Sequence, residues 1–482
     1  MGNRFLGTFI HFLNDDSLLN IFSLCRPSLI DKNKTDDTLV RRGGHWARER
    51  WWYQVAHVCR RWRYIILGSV SHLGLCLHCT YGTPVADMLA YSPPLPLIVD
   101  YLDEHHNITA EDKAGMMLAL QQRDRVRRIR LRMSSVLTLQ RFIMALDEEL
   151  PILEYLYIVS SPDTLITRLI LPKTFHAPHL RHLILRNFAF PIGSPLHTPV
   201  AGLVTLSIMQ IPPSVYFHPN VLLQKLSLMP QLEKLQIGFH SPVPNHGVER
   251  QLLDTPMMTH ATFPNLRWFG FQGVSAYLDA LLSRMTTPSL EEFFVWFFNQ
   301  LTYTMPNLLQ FSTTKENLRF STTHVVINGD VAFVKMHSYE GDVMRQVYVH
   351  VRCRNFDWLV SSMAQILAAL GPMFSAVEDL RVALKYPLWS EELDDIVVDR
   401  TQWRELLRPF SLVNTLRLEW NSVNKLVAEL SRSLRVNDGE SPMEVLPDLK
   451  NLIYSRRVSG DPFKAFIDAR QKAGHPVTLA RS

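Results

Sequence analysis

Three clusters in the sequence hold side chains able to do chemistry. Cys76-Leu77-His78-Cys79 sets two thiols three residues apart with an imidazole between them, the ingredients of a zinc or redox site. Leu73, Leu75 and Leu77 alternate there as one side of a strand, so positions 76 and 79 point to opposite faces. No second Cys-x-x-Cys completes four metal ligands. Cys76 and Cys79 therefore read as structural, and Cys59 as a small core residue. Asp103-Glu104-His105-His106 offers carboxylates and imidazoles, but consecutive side chains diverge, and the run reads as a solvated turn. The third cluster is basic: Arg123, Arg125, Arg127, Arg128, Arg130 and Arg132, offset by Asp124. It suits nucleic acid, an acidic protein partner, or a strand whose solvent side is arginine. The phosphate-binding, nucleophile-elbow and zinc-helix motifs do not occur. The sequence thus predicts a protein that is no enzyme, with no catalytic residue, metal or cofactor.

Composition points the same way. The chain has 482 residues, about three domains' worth at roughly 150 each. Lys+Arg number 50 and Asp+Glu 45, a net charge of +5, too weak for a histone-type nucleic-acid binder. A hydrophobic share of 47% excludes a disordered chain. Five cysteines exclude a disulfide scaffold and fit a reducing compartment. No apolar run approaches the ~18 residues of a membrane span, and no signal-peptide pattern opens the chain. The expectation is a protein without a membrane partner, located in the cytoplasm and/or nucleus.

The elements that must position functional side chains come in two textures. At the start, Leu18, Ile21, Phe22 and Cys25 recur with a helical period over Asn14–Leu24, with Asn14 or Asp15 as cap. A polar insert, Asp31–Glu49, follows. The spacing then predicts one helix over Trp51–Leu67, with Val55, Val58, Cys59, Trp62, Ile65 and Ile66 as its apolar stripe and Gly68 as a left-handed cap.

After this helix a unit with apolar residues at i, i+3 and i+5 recurs. Examples are Val126/Ile129/Leu131, Leu180/Leu183/Leu185, Leu232/Leu235/Ile237 and Val413/Leu416/Leu418. Successive copies lie between 203 − 180 = 23 and 413 − 377 = 36 residues apart, except for one gap of 377 − 290 = 87. The i+3 and i+5 residues alternate like the buried side of a strand, and the spacing leaves room for a crossover helix, the logic of a leucine-rich repeat. Helices are expected from Thr109, over Asp357–Leu370 and from Asp461, with a last strand at Pro476–Leu479. Within the long gap, Asn328-Gly329 between alternating runs predicts an antiparallel hairpin insertion at about 312–356, the Asn-Gly pair supplying a type I′ turn.

Leu13-Asn14-Asp15-Asp16-Ser17-Leu18-Leu19-Asn20-Ile21-Phe22 resembles the first helix of an F-box, and Val58-Cys59-Arg60-Arg61-Trp62 resembles its Val-Cys-x-x-Trp second half. Asn14 stands where the motif commonly has Pro, and the polar insert splits the box. The segments 177–183, 401–407 and 466–470 are similar to fungal, mostly basidiomycete, F-box proteins with irregular leucine-rich repeats. The resemblance implies an α/β chain: a helical F-box at 10–70 with the polar insert 31–49, then a leucine-rich-repeat-like solenoid at 71–480, a curved, mainly parallel sheet with outer helices. It also implies the substrate-recognition subunit of a cullin–RING ubiquitin ligase. The box would bind the ligase's small adaptor and the repeats a protein substrate whose identity no motif reveals.

Two sets of residues follow. Leu13, Leu18, Ile21, Phe22, Val58, Trp62 and Ile65 are expected to form the box's apolar face, part packed inside and part against the adaptor. The residues that alternate with the buried ones should face the open side of the sheet. For a substrate these are Arg128, Arg130, Arg132, Tyr155, Tyr157, His182 and Arg186, continuing through Lys234, Gln236, Trp268, Phe294 and Trp296. Arg, Tyr and Trp are the types enriched at binding hot spots. The alternative is a repeat scaffold for protein or nucleic acid that serves no ligase.

Overall fold

A computed structural model describes residues 12–25, 51–102, 108–160, 169–188, 200–212, 215–240, 258–300, 302–303, 305–308, 320–340, 343–353, 356–385, 400–420, 430–431, 444–454 and 463–481. The polar insert, the Asp103–His106 turn and the Asp461 cap lie outside them. The chain is a mixed α/β protein with two compact units, one running to Leu185 and the other from Ala201, with Arg186 assigned to the second.

The first unit opens with helices. Asn14 Oδ1 accepts the amide of Ser17 at 2.8 Å and so caps the helix Asp15–Cys25. The single helix expected over 51–67 is two, Trp51–Ala56 and Arg60–Gly68. The chain breaks between them because Cys59 turns extended and its thiol accepts from the amide of Trp62, as a cap does. Cys59 is therefore an exposed capping residue and not a core one. Gly68 lies inside its helix. The left-handed glycine is Gly74, φ +61°, which closes the short helix Val70–Leu73.

Strands β1 (Leu77–Cys79), β2 (Leu97–Tyr101), β3 (Val126–Met133), β4 (Tyr155–Ser160) and β5 (His182–Arg186) follow, and β1 to β4 pair in parallel in sequence order. Two of these, β1 and β2, precede the first repeat seen in the sequence. Thr109 opens the helix Ala110–Gln121 with a reciprocal capping box to Asp112.

The second unit holds β6 (Thr205–Ile211), β7 (Lys234–Phe239), β8 (Ala261–Thr262), β9 (Trp268–Gly273), β10 (Met285–Thr286), β11 (Glu292–Phe297), β12 (Thr322–Asn328), β13 (Val331–Glu340), β14 (Val343–Arg352), β15 (Asp379–Lys385), β16 (Thr415–Trp420), β17 (Asn451–Tyr454) and β18 (Thr478–Arg481). The main sheet runs β6-β7-β9-β11-β14-β13-β12-β15-β16-β17-β18, and β8 pairs with β10 apart from it. All its pairings are parallel except the two that β13 makes. Residues 322–352 thus form a three-stranded meander within the sheet. β14 lies parallel to β11 and β12 parallel to β15, so the ladder passes through the segment read from sequence as an interruption. The hairpin loop is Gly329-Asp330, because Asn328 already pairs with Val331. Gly329 alone is left-handed, φ +56°, which puts glycine at the first loop position as a type II′ turn does, one residue later than the expected Asn-Gly pair.

Every repeat position read from the sequence, from Val126 to Tyr454, is buried, none more than 8% exposed. Register explains why. Ile129 stands beside Leu156, Leu206 beside Leu235, Leu235 beside Phe269, Phe269 beside Phe293, Leu380 beside Leu416, and Leu416 beside Leu452. Each strand therefore adds its two apolar residues to the same rows, worth roughly 1.5–3 kcal/mol per fully buried side chain. The opposite side of each strand remains for function.

Candidate interaction surfaces

The N-terminal helices divide their apolar residues. Leu18, Phe22 and Ile65 are buried, Leu13 and Trp62 half-buried, and Ile21 and Val58 exposed, Val58 by 61%. Phe22 meets Trp62 edge to face, ring centroids 4.9 Å apart. Arg61 ties the module together, its guanidinium donating to Asp15 at 2.7 Å and to the Leu13 carbonyl at 2.6 Å. Phe12, Leu24 and Tyr64, which the sequence reading passed over, are also in solvent. Their signal was available: they lie off the period of the buried residues.

In the first unit the open side carries the expected arginines and tyrosines. Arg128 is exposed, while Arg130, Arg132, Tyr155, Tyr157 and His182 are half-buried. Arg128 stands beside Tyr155 and Arg130 beside Tyr157 in the register. The Tyr155 and His182 rings are 5.6 Å apart. Partial burial pushes the Tyr155 hydroxyl pKa up, against the pull of Arg130. Arg186, half-buried, belongs to the second unit.

Much of the basic run is neutralised. Arg130 donates to Asp100 at 2.9 Å, Arg127 meets Glu154 at 2.9 Å, and Arg123 pairs with Asp147 and Glu148. Asp100 was missed by the sequence reading. Its alternation in Leu97-Ile98-Val99-Asp100-Tyr101 sets it on the open side, but only the β2–β3 register places it beside Arg130.

The second unit's open side is aromatic. Lys234 Nζ lies 4.6 Å from the Trp268 ring centroid. Trp268 stacks on Phe294 at 5.3 Å, Phe294 meets Tyr348 at 5.7 Å, and Tyr348 stacks on Phe333 at 5.0 Å. Trp296, 40% exposed, meets His350 at 5.5 Å. Gln236 accepts from Ser207 at 2.8 Å. Gly270 makes the row possible, since a Cβ there would sit 2.4 Å from the Trp268 ring.

Beyond the rings stand Lys335, opposite Tyr348, and Arg381, beside His324. Burial, with Lys335 and Arg381 nearby, pushes the His337 pKa down. Burial likewise lowers His350 to about 4, with Arg352 adding to the effect and Asp330 opposing it. Tyr348, Phe333, Lys335 and Arg381 were not found from sequence. The alternation of the meander strands was visible, but their neighbours were not.

Cys79 is buried, and Cys76 Sγ lies 3.1 Å from His78 Nε2. Among the described residues no group of three or more His, Cys, Asp or Glu side chains is placed to hold a metal ion, and no helix is long and apolar enough to cross a membrane.

No family model and no curated protein matches the chain. Among solved structures, the crystal structure of Listeria monocytogenes InlP is similar over 52% of this chain and 86% of that chain, at 12% identity and a TM-score of 0.22.

Proposed function

We propose that this chain is the substrate-recognition subunit of a cullin–RING ubiquitin ligase, an F-box followed by an irregular leucine-rich-repeat solenoid. The N-terminal helices hold the adaptor, and the open side of the sheet holds a protein substrate. The observation that carries the reading is the division within those helices. Leu18, Phe22 and Ile65 seal the interior, while Ile21 and Val58, two of the positions that resemble the F-box pattern, stay in solvent. Apolar side chains left exposed on so small a module suit a docking surface.

On the substrate side, Arg128, Arg130, Arg132, Tyr155, Tyr157, His182 and Arg186 offer cations and aromatic rings to an acidic protein segment. The test is co-purification of the full chain with the adaptor. Ile21→Asp with Val58→Asp should abolish it without moving the thermal melt, since both residues are exposed. A wild-type chain that fails to retain the adaptor would contradict the ligase reading and favour a repeat scaffold working without one.

A further inference from the structure

We infer that the open face of the second unit binds an acidic protein segment that also carries aromatic or other large apolar side chains. The inference concerns a surface separate from the Arg128 strip and does not depend on adaptor binding.

Two juxtapositions carry it. The first is the aromatic row Trp268, Phe294, Tyr348 and Phe333, contributed by four strands and half-exposed along its length. The second is the charge beside it. Lys335 is half-exposed and Arg381 exposed, and among the described residues neither has an ion-pair partner. Asp379, on the same strand as Arg381, is already paired, accepting from Arg417 at 2.9 Å. Glu292, hydrogen-bonded to the neutral Gln346 amide at 2.8 Å, keeps its charge beside Trp268 and near Lys234. Glu419 lies a strand further out, beside Ala383. Uncompensated positive charge next to a large apolar surface is complementary to a segment mixing carboxylates with rings.

Ring geometry argues against nucleic acid as the occupant. Trp268 and Phe294 lie at 27° to each other, as do Phe333 and Tyr348, so these rings already cover one another's faces. Base stacking requires an open ring face. The outward edges carry the positive end of the ring quadrupole, which favours carboxylates and the π-clouds of incoming rings.

The full chain would be titrated by fluorescence anisotropy with three labelled probes: a random copolymer of glutamate and tyrosine, polyglutamate, and oligothymidylate. The copolymer should bind most tightly. Lys335→Glu with Arg381→Glu should weaken it by about tenfold or more. Phe294→Ala with Trp296→Ala should weaken the copolymer and leave polyglutamate nearly unchanged. Circular dichroism reports whether each variant is folded, and Trp296→Ala alone, at the 40% exposed ring of this face, replaces the aromatic pair should that pair misfold. Copolymer binding that is absent, or unchanged in folded variants, would overturn the inference. So would tighter binding of oligothymidylate than of the copolymer, which would assign the face to nucleic acid.

Discussion

The open sides of the two units occupy equivalent positions on their strands and carry opposite histories of charge. The first unit's basic run is dense in sequence, six arginines from Arg123 to Arg132, yet Arg123, Arg127 and Arg130 find acids within the fold. The second unit has no basic run there. Lys335 and Arg381 are 46 residues apart (381 − 335), but the β12–β13 and β12–β15 pairings bring them to the two sides of His324, without ion-pair partners among the described residues. Charge density along a chain is thus a poor guide to charge available at a surface, because the register decides which acids stand alongside.

The largest effect should separate the buried from the open side of one unit. Leu235→Asp places a carboxylate in the row between Leu206 and Phe269 and should cost about 4 kcal/mol or more, unfolding the second unit in a thermal melt. Arg381→Ala, on the open side, should change stability by less than about 0.5 kcal/mol.

Next in size is Gly270→Val. Its side chain would displace the Trp268 ring from its place against Phe294, costing about 1–3 kcal/mol and changing the tryptophan emission.

A smaller effect distinguishes the two cationic sets. Arg130→Ala should destabilise the first unit by up to about 1 kcal/mol, by removing the partly buried Arg130–Asp100 ion pair. Lys335→Ala should change stability by less than about 0.5 kcal/mol, because its half-exposed ammonium has no ion-pair partner among the described residues. Equal losses in the two variants would erase the distinction.

The smallest concerns pH. His218, His337 and His350 are held below the ordinary histidine value, chiefly by burial. Above pH 6.5 these groups are neutral in both folded and unfolded chains. As pH falls from there toward about 4, the unfolded chain takes up protons first, so stability contributed by their neutrality is lost. Chemical denaturation across that window should show a decline that His350→Gln makes shallower.

The buried side of the sheet was legible because its signal is local. An apolar residue at i, with partners at i+3 and i+5, identifies a strand wherever the chain carries it, and Leu153, Leu156 and Ile158 need no knowledge of their neighbours to be read as inward. β2 escaped because Leu95, Leu97, Val99 and Tyr101 alternate by two without the leading turn residue. The helix break at 57–59 was hidden because apolar spacing runs on through Val55 and Val58, while a single thiol cap ends the helical path. The aromatic row was half legible. Trp268, Phe294 and Trp296 follow from alternation alone, whereas Tyr348 and Phe333 join them only through the pairing of β14 between β11 and β13.

The most direct test of this account compares two charge reversals in the full chain. Arg128→Glu with Arg130→Glu and Lys335→Glu with Arg381→Glu would be titrated side by side with the glutamate–tyrosine copolymer, each variant first shown to be folded. The account predicts the larger loss of affinity, about tenfold or more, for the Lys335/Arg381 pair, and a smaller one for the Arg128/Arg130 pair, in which Arg130 is already neutralised by Asp100. A larger loss from the Arg128/Arg130 reversal would contradict it.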